Sequence, residues 1–235
     1  MRPVDKGGKP YSSITNYEEA RPYLKDRLGE MCSYCEMNLD TGLAVEHVQP
    51  KSRYPEKECD WDNLLLACPN CNSTKRNTDI NNTNIYDYLW PNKDNTFLAL
   101  KYSEGGFVGV NPFLPKHIRD KAQKLIKLVE LNRIIVDVKK KKLDIRWLKR
   151  FDIWGKAERA KARLAKLEGR GIDDLLRKEM VEAIEDMQEG YFSIWMTVFA
   201  DDADMKRRII KKFIGTATDC FDADGNPVPR KGGQI

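Results

Sequence analysis

The sequence has no apolar run approaching the roughly 20 residues needed to cross a bilayer, and it holds only two histidines. Its first ten residues are polar and include glycine and proline, unlike a secretory signal peptide. These absences argue against a membrane span and a leader, so we expect a cytoplasmic protein with no membrane partner. Six cysteines in a reducing compartment are not expected to form a disulfide framework, and their spacing therefore becomes informative.

The composition is that of a folded protein. Of 235 residues, 41% are hydrophobic and 33% charged, and there are five Trp, nine Tyr and eight Phe. A disordered chain lacks such an aromatic content, and this length suits one large domain or two small ones.

Positive charge is concentrated in the middle of the chain. The net charge is only +5, but residues 111–170 contain 19 basic and 7 acidic side chains. Such a segment attracts phosphate backbones or acidic proteins, although a solvated helix face has the same composition.

The pattern of residues predicts an α+β fold with the strands in the first half. We expect a helix over 16–29, a compact module over 31–77, and a hairpin formed by 95–102 and 107–110. Beyond residue 115 apolar residues recur at helical spacing, first along a stripe that extends to Ile134, then in a helix from about residue 143. Three further helical stretches are predicted over 173–187, 191–199 and 205–214. The predicted domains are 1–110, a basic helical domain over 111–220, and a tail or partner-docking strand over 221–235.

Two pairs of cysteines have the spacing of zinc ligands. Cys32-Ser-Tyr-Cys35 and Cys68-Pro-Asn-Cys71 are separated by 32 residues. Two such turns can complete the tetrahedral four-thiolate site that Zn²⁺ prefers, and such a site has no open position for water. We therefore expect a structural zinc. A redox pair is disfavoured because neither pair follows an obvious buried strand and opens a helix.

The segment between these pairs carries the residues of a catalytic motif. It contains Glu46-His47-Val-Gln-Pro-Lys-Ser52 and, before the second pair, Asp60-Trp-Asp-Asn63. Asn72 directly follows the second pair. This arrangement resembles the HNH nucleases, whose site is a zinc-braced ββα-metal hairpin and helix. The resemblance covers about residues 29–77.

The resemblance implies roles for four residues. His47 takes the position of the general base, Asn63 that of the central asparagine that fixes the loop, and Asn72 the final position, where many members have histidine. This HNN pattern implies that Glu46 and Asn72 hold a catalytic Mg²⁺ or Mn²⁺. Neighbouring strand residues point to opposite faces, so Glu46 and His47 share one site only if the strand bends or ends there. Lys75 and Arg76 are candidate phosphate contacts, but exposed helix cations explain them equally well.

Several shorter stretches extend the resemblance to the HNH nucleases of Septu-type anti-phage systems. They are Met1-Arg-Pro-Val-Asp5, Cys-Ser-Tyr-Cys-Glu36 and the Glu46 to Ser52 motif, followed by a helical second half. This resemblance implies an anti-phage nuclease that cuts DNA, or RNA such as tRNA. Its implied partners are a PtuA-like ATPase of the ABC/SMC-like class and, in some systems, a retron reverse transcriptase complex.

Two other functions fit the same residues. One is a zinc-braced module that binds nucleic acid or regulates the ATPase without cutting, and the other is a free-standing restriction or homing nuclease. Cleavage that is lost in His47→Ala would separate a nuclease from a binding module. An adjacent ATPase gene would favour defence over homing.

Overall fold

A computed structural model describes residues 1–76, 78–134, 136–137 and 142–235. The α+β prediction is confirmed: in these ranges, three two-stranded antiparallel hairpins are combined with a mostly helical second half. Within the described residues, no helix is both long and apolar enough to cross a membrane.

The first helical segment is divided in two. A 3₁₀ turn over Tyr17–Ala20 is capped by Asn16, whose side chain accepts a hydrogen bond from the Glu18 backbone N–H. Helix α1 (Arg21–Leu28) follows and ends at Gly29 with a positive φ of 73°. The division explains Pro22, because proline is tolerated in the first turn of a helix.

The module that contains the cysteine pairs has a hairpin followed by a helix. Strands β1 (Ala44–His47) and β2 (Leu64–Ala67) pair antiparallel, with Glu46 opposite Leu65 and His47 opposite Leu64. Helix α2 (Pro69–Lys75) packs against both strands. All four residues of β2 are buried, so the hairpin forms the centre of the module.

The second hairpin is shorter than the sequence predicted. Strands β3 (Leu100–Tyr102) and β4 (Val108–Val110) pair as expected, and Gly106 takes a positive φ of 74° in the turn between them. Residues 96–99 form the single-turn helix α3 (Thr96–Ala99) in place of a strand. The reason is local, because the Asn95 side chain accepts a hydrogen bond from the Leu98 backbone N–H and caps the turn.

The remaining elements are mainly helices. In chain order they are α4 (Lys116–Leu128), the short strands β5 (Val136–Asp137) and β6 (Lys142–Leu143), α5 (Arg146–Glu168), α6 (Asp174–Asp186), α7 (Phe192–Val198) and α8 (Ala203–Lys212). Helix α4 ends at Leu128, and Ile134 is 53% exposed, so the predicted apolar stripe does not extend to Ile134.

Helix α5 begins with an unexpected orientation. Leu148 and Phe151 are 44% and 50% exposed, whereas Arg146 and Arg150 are each only 1% exposed. The arginines therefore face the interior, whereas Leu148 and Phe151 are largely exposed to solvent.

One hydrophobic cluster includes side chains from all three predicted segments of the chain. The segment predicted as a tail packs against the first half: the Asn95 side chain donates hydrogen bonds to the carbonyls of Cys220 and Val228, at 2.8 and 2.7 Å. Arg230 donates to the Val4 carbonyl at 3.0 Å. These contacts fix residues 221–235 on the protein itself, while the domain boundaries stay a prediction.

Candidate active site and zinc centre

The four paired cysteines meet at one end of the hairpin. Cys32 and Cys35 lie in the turn before β1, Cys68 caps α2 through a contact with the Cys71 backbone N–H, and all four are buried. Their sulfur atoms lie within 4.8 Å of one another, and the Sγ atoms of Cys35 and Cys68 are 3.6 Å apart. Zinc–sulfur bonds of about 2.3 Å in a tetrahedron would separate the sulfurs by about 3.8 Å. The cluster therefore fits a structural zinc ion. The sequence-based reason against a redox pair is wrong for Cys68 and Cys71, because this pair follows the buried strand β2 and opens α2. The meeting of all four sulfurs is the observation that favours zinc.

His47 is the last residue of β1, and its ring is held by a backbone carbonyl. The Nε2 atom lies 2.9 Å from the carbonyl oxygen of Glu58. A carbonyl only accepts hydrogen bonds, so Nε2 carries the proton and the neutral ring has its lone pair at Nδ1. Burial lowers the pKa of His47 below its ordinary value of 6.5, although the Glu58 carbonyl opposes this shift. His47 is thus held neutral near pH 7, as a proton acceptor requires.

Asn63 fixes the loop that holds His47. Its side-chain oxygen accepts from the Gln49 backbone N–H at 2.8 Å, and its amide donates to the carbonyls of Gln49 and Lys57 at 3.0 and 3.1 Å. Lys57 directly precedes Glu58, whose carbonyl holds the imidazole. Asn63 therefore acts on His47 through the backbone of this loop, with no direct contact between the two side chains among the described hydrogen bonds.

Glu46 precedes His47 and forms a buried ion pair with Lys75 of α2. Glu46 Oε1 lies 2.7 Å from Lys75 Nζ, which also donates to the His47 carbonyl at 2.6 Å. Glu46 is 4% and Lys75 1% exposed. Burial raises the pKa of Glu46, and the Lys75 ammonium opposes that shift. The expectation that Lys75 contacts phosphate does not fit this position, because its ammonium is enclosed between the strand and the helix.

Asn72 lies three residues before Lys75, on the same side of α2, and is partly exposed. Carboxylate and amide oxygens are ligands that hard divalent cations prefer. The Glu46 carboxylate has lone pairs for both a metal ion and Lys75, so the donor set of Glu46 and Asn72 fits Mg²⁺ or Mn²⁺. Arg76, at the end of α2, is exposed and remains a candidate phosphate contact.

Two residues beside His47 were not identified from the sequence. The Tyr17 ring meets the imidazole edge-on with 4.9 Å between ring centroids, and Lys51 Nζ lies 3.9 Å from the centre of the Tyr17 ring. Lys51 also pairs with the Glu58 carboxylate at 3.0 Å. Its place in the motif after His47 was a usable signal, whereas nothing in the sequence linked Tyr17 to this site.

The other histidine and the spare thiols lie elsewhere. His117 is exposed at the start of α4, and Cys220 is fully buried. Cys59 follows Glu58 and is partly exposed.

Comparison with known proteins agrees with this geometry. Residues 32–78 match the family model of the HNH endonucleases, described as "HNH endonuclease". An alignment over 66 residues, which covers 25% of the chain, is 42% identical to the Septu protein PtuB of Bacillus thuringiensis. The match spans about a quarter of that relative's length, 26%.

Proposed function

We propose, from the premise that residues 32–78 are an HNH endonuclease domain, that the protein is a metal-dependent endonuclease of anti-phage defence. The observation that carries the proposal is the His47 ring, whose Nε2 is fixed on the Glu58 carbonyl so that Nδ1 is free to accept a proton. A solvated surface histidine would not be held in one tautomer.

In the proposed reaction His47 takes a proton from water, and the resulting hydroxide attacks the phosphorus of a phosphodiester opposite the leaving oxygen. Asn63 keeps the ring in place through the loop that ends at Glu58. A divalent cation held by Glu46 and Asn72 would stabilise the charge that develops on the phosphate and the leaving oxygen.

The cation beside Glu46 in the structure is the Lys75 ammonium. Because Lys75 also binds the His47 carbonyl, it joins the carboxylate and the end of β1 in one fixed arrangement. In the proposed site Lys75 orients Glu46. Lys51 and Arg76, which lie nearer solvent, contact the phosphate in its place.

A cleavage assay tests this function. Purified protein is incubated with plasmid DNA, single-stranded DNA and total RNA in Mg²⁺ or Mn²⁺, alone and after metal removal. We expect metal-dependent cleavage of at least one substrate and a loss of about 10²–10⁴-fold in His47→Ala, the range for removal of a general base. His117→Ala is the matched control, because that histidine is exposed outside the site.

Cleavage by His47→Ala at the wild-type rate would contradict the mechanism. Salt-sensitive binding that survives in His47→Ala, with no cleavage by either protein, would favour a non-catalytic binding module.

We further propose that the nuclease works in the cytoplasm with a PtuA-like ATPase of the ABC/SMC-like class, in some systems beside a retron reverse transcriptase complex. Support comes from the similarity to the Septu protein PtuB and from the shared sequence stretches. Co-purification of the tagged protein with that ATPase tests the partner, and cleavage by the complex that the isolated chain does not perform would show control by the ATPase. Failure of the two chains to co-elute would refute the partnership.

A further inference from the structure

Two arginines of α5 are buried, although the basic segment that contains them was expected to meet phosphate, an acidic partner or solvent. Arg146 and Arg150 lie one helical turn apart, and each is 1% exposed. A buried guanidinium must find partners for its five N–H groups, because leaving a charged group unpaired in the interior is costly.

The contacts of Arg146 lead to the zinc centre. Its Nη1 atom lies 3.1 Å from the sulfur of Cys71, across 75 residues of sequence. The same nitrogen donates to the Val129 carbonyl at 2.8 Å, and Nη2 donates to the Glu130 carbonyl at 3.0 Å. Asp144 completes the set, with its Oδ2 atom 2.7 Å from Nη2. One side chain thus connects a cysteine of the zinc site, the residues after α4 and the start of α5.

The charge of the zinc site explains a cation at this position. A Zn²⁺ ion with four thiolates carries a formal charge of −2, and here the sulfurs are buried. A charged N–H donor on a ligand sulfur stabilises that charge, and such partners of metal ligands contribute to metal affinity. The Asp144 carboxylate is shared by two arginines, because Arg133 also binds it at 2.9 Å. Its negative charge therefore does not cancel the positive charge of Arg146 completely. Arg133 also pairs with the Glu130 carboxylate, which is half-exposed and lies outside the buried contact between Arg146 and Cys71.

We propose that Arg146 is a positioning residue of the zinc centre, which strengthens zinc binding through Cys71 and couples zinc occupancy to the packing of α4 and α5. The coupling follows from geometry, since the guanidinium that contacts the sulfur also binds the two carbonyls that follow α4. The inference rests on the zinc site and is independent of nuclease activity.

Zinc affinity distinguishes this role from a purely structural one. We would measure the zinc dissociation constant of wild type, Arg146→Gln and Arg146→Lys by competition with a chromophoric chelator. Arg150→Gln is the matched control, because Arg150 is equally buried in the same helix but donates to the Gly106 and Leu131 carbonyls, each at 2.7 Å. Both glutamine variants lose buried hydrogen bonds, so both are expected to melt at a lower temperature.

We expect zinc to bind about 10–100-fold more weakly to Arg146→Gln, with Arg150→Gln within a few-fold of wild type. Arg146→Lys should be intermediate, because an ammonium keeps the charge but cannot replace the planar, forked contacts. It also serves as the test if Arg146→Gln does not fold. Cobalt(II) substitution gives a second readout: the thiolate-to-cobalt charge-transfer band should shift in the Arg146 variants and stay unchanged in Arg150→Gln.

Hydrogen exchange of the wild-type protein tests the coupling directly. Zinc removal should reduce protection at residues 126–131 and 146–150 as well as at the cysteine pairs, while α8 keeps its protection. Wild-type zinc affinity in the Arg146 variants would overturn the proposal. So would loss of protection on zinc removal that is confined to the cysteine pairs.

Discussion

The buried ion pair between Glu46 and Lys75 gives a quantitative prediction about the candidate site. Replacing Lys75 by methionine removes the ammonium but keeps a side chain of similar length. The Glu46 carboxylate, whose side chain is 5% exposed, is then left without its cation at 2.7 Å. Removing one partner of a buried pair costs about 3–5 kcal/mol, because the other charge stays in the interior uncompensated. We therefore expect Lys75→Met to lower the free energy of unfolding by about this amount at pH 8.

The double variant Glu46→Gln/Lys75→Met decides whether the cost comes from the pair. It removes both charges, so it should be more stable than Lys75→Met alone, and the two changes should be non-additive by more than about 1 kcal/mol. Lys116→Met is the control, because its pair with Asp120 joins side chains that are 81% and 57% exposed. An exposed pair of this kind contributes about 0–1 kcal/mol.

The loss of unfolding free energy in Lys75→Met should depend on pH with a definite sign. Burial already raises the pKa of Glu46 above its ordinary value of 4.5, and the variant lacks the ammonium that opposes this shift. A carboxyl group whose pKa is higher in the folded state than in the unfolded state favours folding when protonated, so stability decreases as pH rises above 4.5. Lys75→Met should therefore be less destabilised at pH 5 than at pH 8.

Urea unfolding of zinc-loaded wild type and variants at these two pH values measures all these quantities. The reasoning would be refuted if Lys75→Met cost less than 1 kcal/mol at pH 8. It would equally fail if the double variant were no more stable than Lys75→Met.

Three further predictions concern the His47 side of the site. Because burial lowers the pKa of His47, the acid limb of the pH profile of kcat/KM should lie below 6.5, and an acid limb above 6.5 in the wild type would contradict the assignment. Asn63→Ala leaves its buried backbone partners unsatisfied, so the free energy of unfolding in urea should decrease by about 1–3 kcal/mol. The kcat value should also decrease, and unchanged values of both quantities would exclude the loop-fixing role. Lys51→Gln should weaken substrate binding and reduce the slope of log affinity against log salt by about one unit, if its ammonium contacts a phosphate; Lys116→Gln should leave that slope unchanged.

Much of the site could be predicted because its signals are local. The cysteine spacing predicted the four sulfurs that meet as a candidate zinc site, and the order of Glu46, His47, Asn63 and Asn72 around them indicated the HNH domain that the family comparison finds at residues 32–78. Helix α2 follows from that local pattern, since a proline-initiated helix needs only neighbouring residues. The hairpin was implied by the resemblance alone, because its strands β1 and β2 are distant in sequence.

Partnerships between distant residues could not be predicted in this way. Lys75 binds the His47 carbonyl across 28 residues, and composition gave it equal odds of a phosphate contact or an exposed face. The same limit applied to α5, whose charge indicated a phosphate or acidic partner or a solvated face, whereas the structure buries Arg146 on Cys71. Basic side chains have the same helical spacing whether they meet water, phosphate or a buried anion, so their spacing carries no information about their partner.

The sequence by itself therefore determined which four cysteines form the candidate zinc site, which histidine is the candidate base and that the second half is helical. Tertiary structure alone decided how these parts are joined: Tyr17 and Lys51 beside His47, Lys75 on Glu46, and Arg146 between the zinc centre and the helices. The physical reason is that ligand spacing and helical periodicity are properties of neighbouring residues, whereas the partner of a buried charge is set by where the whole chain brings an opposite charge or an open carbonyl.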